Sequence, residues 1–291
     1  MLFRSDRENL DHYLLNVSAQ DGGHPPRIGF TLLNITVGDV NDNAPIFTSP
    51  DYQGFIMENA TQGTSIVTVS ATDADIGSNA QIEFKIDRSS HSDPDRIFNV
   101  DPKSGLVTNN LKLDYEKNQR YRIVVKAENN VAGSTLTASA WLTIKVLDVN
   151  DNSPKVTINY VLGGSYQVLE GATNGTTVAT IDVSDADSGD SGEVDVSLQD
   201  TYGCFQLQPV MNDRYAIKVA SLIDREKIPV FKPTIVAKDK GIPSRTTEEP
   251  FIINVGDIND NSPKFVSAVY RGSVSEAVAK GEFVRSVHAT D

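Results

Sequence analysis

Three copies of one oxygen-rich string stand 109 residues apart: Asp39-Val40-Asn41-Asp42-Asn43-Ala44-Pro45, Asp148-Val149-Asn150-Asp151-Asn152-Ser153-Pro154 and Asp257-Ile258-Asn259-Asp260-Asn261-Ser262-Pro263. Asp, Asn and Glu supply hard oxygen donors, and calcium collects about six to eight of them at about 2.3–2.6 Å. A single copy reads more readily as a turn, because Asn, Asp, Ser and Pro dominate turns. Three copies in register make the metal reading the stronger one. A self-contained EF-hand loop fails on spacing. Counted from each leading Asp, position 6 is Ala44, Ser153 or Ser262 where Gly is needed, and position 12 is Pro50, Asn159 or Ala268 where Glu is needed. The remaining ligands must come from outside the string.

Other elements keep the same period and show what would position those ligands. Asp6-Arg7-Glu8, Asp114-Tyr115-Glu116 and Asp224-Arg225-Glu226 each begin 33 or 34 residues before the next string. After them come Tyr13-x-Leu15-x-Val17-x-Ala19-x-Asp21, Tyr121-x-Ile123-x-Val125-x-Ala127-x-Asn129 and Phe231-x-Pro233-x-Ile235-x-Ala237-x-Asp239. Period-two alternation of this kind marks a half-buried strand that ends on a polar residue. A last strand leads into each string, with Leu33, Ile35 and Val37, then Leu142, Ile144 and Val146, then Ile253 and Val255 on its inner face. Asp73-Ala74-Asp75 and Asp185-Ala186-Asp187 lie near the opposite end of each unit, and Ala289-Thr290-Asp291 matches Ala71-Thr72-Asp73. Units of this length with short alternating strands and no sustained helical period predict an all-β fold of tandem immunoglobulin-like Greek-key β-sandwiches. Two complete domains are expected, 44–152 and 153–261, flanked by the C-terminal part of another at 1–43 and the N-terminal part of a fourth at 262–291. Met1 then falls inside a domain, so the sequence is read as part of a longer chain.

Composition narrows the partners. With 39 acidic and 26 basic residues the net charge is -13, which disfavours nucleic acid and anionic membrane and suits cations. Cys204 is the sole cysteine, so disulfides cannot stabilise the chain and compartment cannot be read from them. Residues 1–15 carry Arg4, Asp6, Arg7, Glu8 and Asp11 and do not form a signal peptide; no apolar run is long enough to cross a membrane. Sequons at Asn16, Asn34, Asn59 and Asn174 point outward from the cell, weakly.

Four motif classes in this order resemble the cadherin superfamily over essentially the whole chain. Asp-Ala-Asp-x-Gly, with Asn79 four residues after Asp75, is similar to protocadherins and to the long Fat and Dachsous types. The resemblance implies calcium at the junctions between repeats. For the junction after 44–152 it implies Glu58, Asp114 and Glu116 from upstream, Asn150, Asp151 and the backbone carbonyls of Val149 and Asn152 from the linker, with Asp148 as a weaker candidate, and Asp185, Asp187 and Asp239 from downstream. Without Asp148, seven carboxylates would then face what in the family are three calcium ions. At the first linker the matching residues are Asp6, Glu8, Asn41, Asp42, Asn43, Asp73, Asp75 and Asn79. Asn129 stands there in place of Asp, which predicts weaker binding. Ser191 replaces the Asn79 equivalent in the following repeat, where the family uses a backbone carbonyl. At the last linker Glu170, Asp224, Glu226, Asn259, Asp260 and Asn261 match upstream, and Asp291 alone downstream.

Catalysis has no support. Gly189-Asp190-Ser191-Gly192 resembles a serine-protease nucleophile loop but continues with Glu193 where that pattern has Gly, and none of His12, His24, His91 or His288 sits in a supporting motif. Trp141, one residue off the inward Leu142, should face outward, either lying over aliphatic stems or anchoring a partner. Cys204 is expected as a buried or half-buried thiol. The resemblance implies calcium-dependent cell-cell adhesion at the extracellular side of the plasma membrane, homophilic or with another cadherin ectodomain in cis or trans, with the membrane anchor outside these residues. The alternative is a passive spacer in a long extracellular adhesion or matrix protein.

Overall fold

The computed structural model describes residues 5–88, 96–131, 134–161 and 167–290. These residues form two compact units, Met1–Asp151 and Asn152–Asp291. Among the described residues the only helical element is one 3-10 turn at Gly189–Gly192.

The first unit opens with a hairpin of β1 (His12–Gln20) and β2 (Ile28–Thr36). Its register sets Leu15 opposite Leu33 and Tyr13 opposite Ile35, so the expected apolar face exists. It is not half-buried as expected: Leu15 and Leu33 are each 46% exposed, because no second sheet covers them among the described residues. The sandwich follows, built from β3 (Ile46–Phe47), β4 (Asp51–Met57), β5 (Ser65–Thr68), β6 (Ala71–Thr72), β7 (Ile82–Ile86), β8 (Phe98–Val100), β9 (Leu106–Asn109), β10 (Arg120–Val131) and β11 (Ser134–Leu147). One sheet runs β4-β11-β10-β7, with β4 parallel to β11; a second runs β5-β9-β8, and β3 pairs with β6. The first strand is broken between these sheets at Ser49-Pro50, where Pro50 lacks an N–H and its carbonyl accepts from the Trp141 amide at 3.0 Å. Alternation delivers Ile123, Val125, Ala127, Leu142 and Ile144 from one sheet and Val107 from the other into a fully buried core. Gly105 is forced: its φ is +71° and a Cβ would lie 2.1 Å from the Val69 carbonyl oxygen.

The second unit repeats this plan with β12 (Lys155–Tyr160), β13 (Gln167–Leu169), β14 (Thr177–Ser184), β15 (Val194–Gln199), β16 (Phe205–Met211), β17 (Arg214–Val219), β18 (Val230–Phe231), β19 (Thr234–Asp239), β20 (Thr246–Pro250) and β21 (Ile253–Gly256). Its sheets are β12-β14-β17-β16, β13-β21-β18 and β15-β19-β20, and β13 is again parallel to the closing strand β21. Phe231 stacks edge-on against Phe205 at 5.0 Å in a core shared with Ile181, Ile217 and Ile235. A last small pair joins β22 (Lys264–Phe265) to β23 (Ala289–Thr290). Both units are immunoglobulin-like β-sandwiches.

Trp141 does face outward. It is 42% exposed, with the Arg122 guanidinium 4.2 Å over its ring. Cys204 is a free, half-buried thiol packed against the core of the second unit. In the 189–192 turn Gly192 is owed to packing, since a Cβ there would meet the Asp187 carbonyl oxygen at 2.3 Å, and Gly189 to its φ of +59°.

Candidate metal centres

In the first unit β4 ends by turning Glu58 inward. Its amide donates to Leu147 at 2.9 Å, and its carboxylate accepts from the amides of Tyr115 at 2.7 Å and Val149 at 2.9 Å. One 2% exposed side chain thereby ties the Asp114-Tyr115-Glu116 turn to the linker. Carboxylate oxygens of Glu58, Asp114 and Glu116 lie within 4.8 Å of one another. Burial holds the Glu58 carboxyl above its ordinary range, outweighing the two amides, and neighbouring Asp151 and Asp148 push the same way. Asp114 is held low by Lys117, which donates to it from both side chain and backbone. Asp151 accepts from the Asn59 side-chain amide, and Asn150 is buried.

The second unit builds the same device. Glu170 accepts from Ile258 N at 2.7 Å and Arg225 N at 2.9 Å, and its oxygens share a 4.8 Å cluster with Asp224 and Glu226. Here the amides win: they draw the Glu170 carboxyl below its usual range, with the Arg225 charge assisting. Arg225 also pairs with Asp257 at 3.1 Å, whereas Asp148 has Tyr115 at the corresponding place. Asn259, Asp260 and Asn261 are exposed along the same cavity as Glu226. Asp291 lies outside the described residues.

The first linker is assembled within the first unit. Asp6 organises its turn, accepting from Glu8 N at 3.1 Å and Asn9 N at 3.3 Å. Asn43 holds Asp75 through its backbone at 3.3 Å and its side chain at 2.6 Å, and also donates to Asp42. Glu8, Asp39 and Asp75 form a 4.8 Å cluster. The resemblance does not bring Asp39 into this linker's ligand set, although an Asp heads every string. Burial raises the Asp39 carboxyl, but Ile76 N, the Asn79 amide and Arg7 together hold it below its usual range. Asn79 thus serves Asp39 with its side chain at 2.9 Å. Asn41 is half-buried.

Two further groups sit beneath the Asp-Ala-Asp turns. Asp73 accepts from Asp75 N at 3.0 Å and from the Asn129 side-chain amide at 3.3 Å. Asn129 is 0% exposed, and its Oδ1 is buried with no hydrogen-bond partner among the described residues. In the second unit Asp185 accepts from Asp187 N at 3.1 Å, Asp187 is held by the Asn152 side chain at 2.6 Å, and Asp239 is buried. Asp185 Oδ2 is likewise buried and unpartnered among the described residues. Burial raises the Asp185 carboxyl, and the charges of Asp187 and Asp239 raise it further. Buried oxygens without donors, in all-oxygen surroundings of excess negative charge, fit a hard cation.

A family model described as Cadherin domain matches residues 52–147 and 165–256. Human Protocadherin-16 is 38% identical over 288 residues, covering 98% of this chain and 9% of that protein. Protein dachsous of Drosophila melanogaster is 37% identical over 288 residues, covering 98% of this chain and 8% of its own length. Among solved structures, the Protocadherin GammaB4 extracellular domain superposes with a TM-score of 0.88 at 33% identity, covering 98% of this chain and 43% of that one. The chain spans under a tenth of the two curated relatives named. With two matched domains and full-length similarity to protocadherins and Dachsous, the chain belongs to the cadherin family.

Proposed function

We propose that these residues are an extracellular segment of a calcium-dependent cell-adhesion protein of the plasma membrane. The observation that carries the reading is the pair of buried carboxylates, Glu58 and Glu170, each gripped by two amides and facing two more carboxylates. Unpartnered Asp185 Oδ2 and Asn129 Oδ1 support it. The repeats run 44–152 and 153–261, with parts of others at 1–43 and 262–291. Glu58, Asp114, Glu116 and the Val149–Asp151 stretch form one ligand group, Asn152, Asp185, Asp187 and Asp239 a second, and Glu170, Asp224, Glu226 and Asn259–Asn261 a third. A fourth joins Asp6, Glu8, Asn41, Asp42, Asn43, Asp73, Asp75, Asn79 and Asn129.

When bound, calcium supplies the positive charge these groups lack. The protein's own part is positional. Backbone amides aim Glu58 and Glu170, Asn43 aims Asp75, and Asn152 aims Asp187. Stripped of the ion, paired carboxylates about 4 Å apart repel by about 4 kcal/mol at an intermediate dielectric, and the linker they share loosens. No residue is assigned to a catalytic step. The partner is a cadherin-family ectodomain, in cis or trans, with a second copy of the same protein the leading choice. Calorimetric titration of the chain tests the metal, and aggregation of beads coated with it, with and without chelator, tests adhesion. No calcium uptake by about 1 mM overturns the metal reading; uptake without aggregation or dimerisation leaves a rigid spacer in place of an adhesive surface.

A further inference from the structure

We propose that the outward face of β4, β11 and β10 is a binding site for a sulfated polysaccharide, independent of the calcium clusters. The ladder register puts Arg120 directly opposite Lys145, with Phe55 of β4 as the next neighbour in the same row. Like charges directly opposite one another on a sheet are destabilising. Arg122 sits two residues on, on the same face, about 7 Å from Arg120 at the usual strand rise. Arg120 and Arg122 are exposed and Lys145 half-buried, and none of the three has an acidic partner among the described residues. Nearer β7 on the same sheet the cations are neutralised, Lys85 by Glu128 and Lys126 by Asp87. Asp51 faces Trp141, four register positions from the Arg120–Lys145 pair. A chain with a net charge of -13 therefore keeps one cationic row unbalanced where a compensating acid would stabilise it.

The aromatic residues are the second observation. The Arg122 guanidinium lies 4.2 Å from the Trp141 ring and the Lys145 ammonium 5.7 Å from Phe55. Such contacts fix the cations in place while leaving N–H donors for an oxyanion. An anionic group between Arg120 and Lys145 turns their repulsion into attraction, and the arginine forks grip oxyanions in two places at once. A slender polyanion suits the patch better than an acidic protein surface does. Screening limits its contact to charges within about 8 Å, whereas a broad acidic surface must also meet more of a chain whose net charge is -13.

The test passes the calcium-loaded 291-residue chain over immobilised heparin at about 0.1 M salt. Retention is expected, with elution by salt. The triple variant Arg120→Thr/Arg122→Thr/Lys145→Thr should bind at least about tenfold more weakly and with a shallower salt dependence. Its melting temperature should equal or exceed that of the parent, because the repelling pair is gone and Thr suits a strand. Lys145→Glu, which pairs with Arg120 without clearing the face, provides a second folded test and should also weaken binding. Arg214→Thr, on an ion pair with Asp182 elsewhere, should leave binding unchanged. Failure of the parent to be retained, or undiminished binding by the triple variant, overturns the proposal. So does a sedimentation result in which these substitutions abolish self-association while heparin is never bound, since the face is then a protein contact.

Discussion

Asn129 and Asp239 hold equivalent strand positions and do opposite things, for Asp239 is the last residue of β19 whereas β10 runs on from Asn129 to Val131. Asp239 closes a short turn, accepting from Gly241 N at 3.0 Å and Arg245 N at 3.0 Å. Asp21 does the same in the opening hairpin, with Gly23 N at 3.2 Å and Arg27 N at 2.9 Å. Both belong to the pattern Asp-x-Gly-x-Pro-x-Arg. The middle repeat lacks that pattern. There β10 and β11 continue their ladder past Asn129, which pairs with Leu136, out to Val131 opposite Ser134. With the ladder running on past it, Asn129 donates its side-chain amide to Asp73. One repeat therefore stores a third repelling charge beneath its Asp-Ala-Asp turn, and the other replaces it with a hydrogen bond. The difference teaches that a single position can set both how a strand ends and how much negative charge gathers beneath the Asp-Ala-Asp turn.

The largest expected effect comes from removing the capping carboxylate. Asp239→Ala strands the amides of Gly241 and Arg245 and should cost the second unit about 2–4 kcal/mol, read by denaturant unfolding. Asn129→Ala, which loses one amide donor to a carboxylate, should cost about 1 kcal/mol. Equal costs would erase the comparison.

Next in size is the charge itself. Asn129→Asp should raise calcium affinity at the first linker about tenfold, which corresponds to about 1.4 kcal/mol, while lowering metal-free stability because Asp73 then faces a charge in place of a donor. Calorimetry measures the first change and thermal melting in chelator the second. An unchanged affinity would remove Asn129 from the ligand set.

A smaller effect contrasts the two buried glutamates in chelator. Glu58 is raised in the folded state, so it opposes stability at neutral pH, and that penalty is relieved as pH falls through its folded value. Glu170 is lowered, so its contribution is present above the ordinary glutamate value of 4.5 and is lost as pH falls through its folded value below that. Trp141, the sole tryptophan, reports the first unit by fluorescence. Its unfolding midpoint should rise as pH is lowered from neutral through the folded Glu58 value. A fall over that window would contradict the assignment. Smallest of all, Trp141→Ala should cost at most about 1 kcal/mol, the worth of one exposed cation–π contact.

Much of the fold could be read directly because alternation reports burial. Ile123, Val125, Ala127 and Asn129 all turn inward, as do Phe231, Ile235, Ala237 and Asp239. The hairpin at 12–36 shows the limit of that reading. Its pattern and register are right, yet Leu15 and Leu33 remain exposed, since alternation marks which face could be covered and says nothing of whether a second sheet is there. Likewise the Asp39 string announced oxygen donors, but only the folded chain reveals that Asp39 itself joins Glu8 and Asp75, and that Arg7 and Asn79 already engage it.

Residue type and a 109-residue period were enough to establish all-β repeats, their inner faces and an oxygen-donor chemistry at their ends, because side-chain direction along a strand and donor hardness are local properties. Whether Glu58 sits above and Glu170 below the ordinary range, and whether Asn129 serves Asp73, depends on groups tens of residues away in the chain. Those distances close only when the sheets pack, and so the tertiary structure alone decided them.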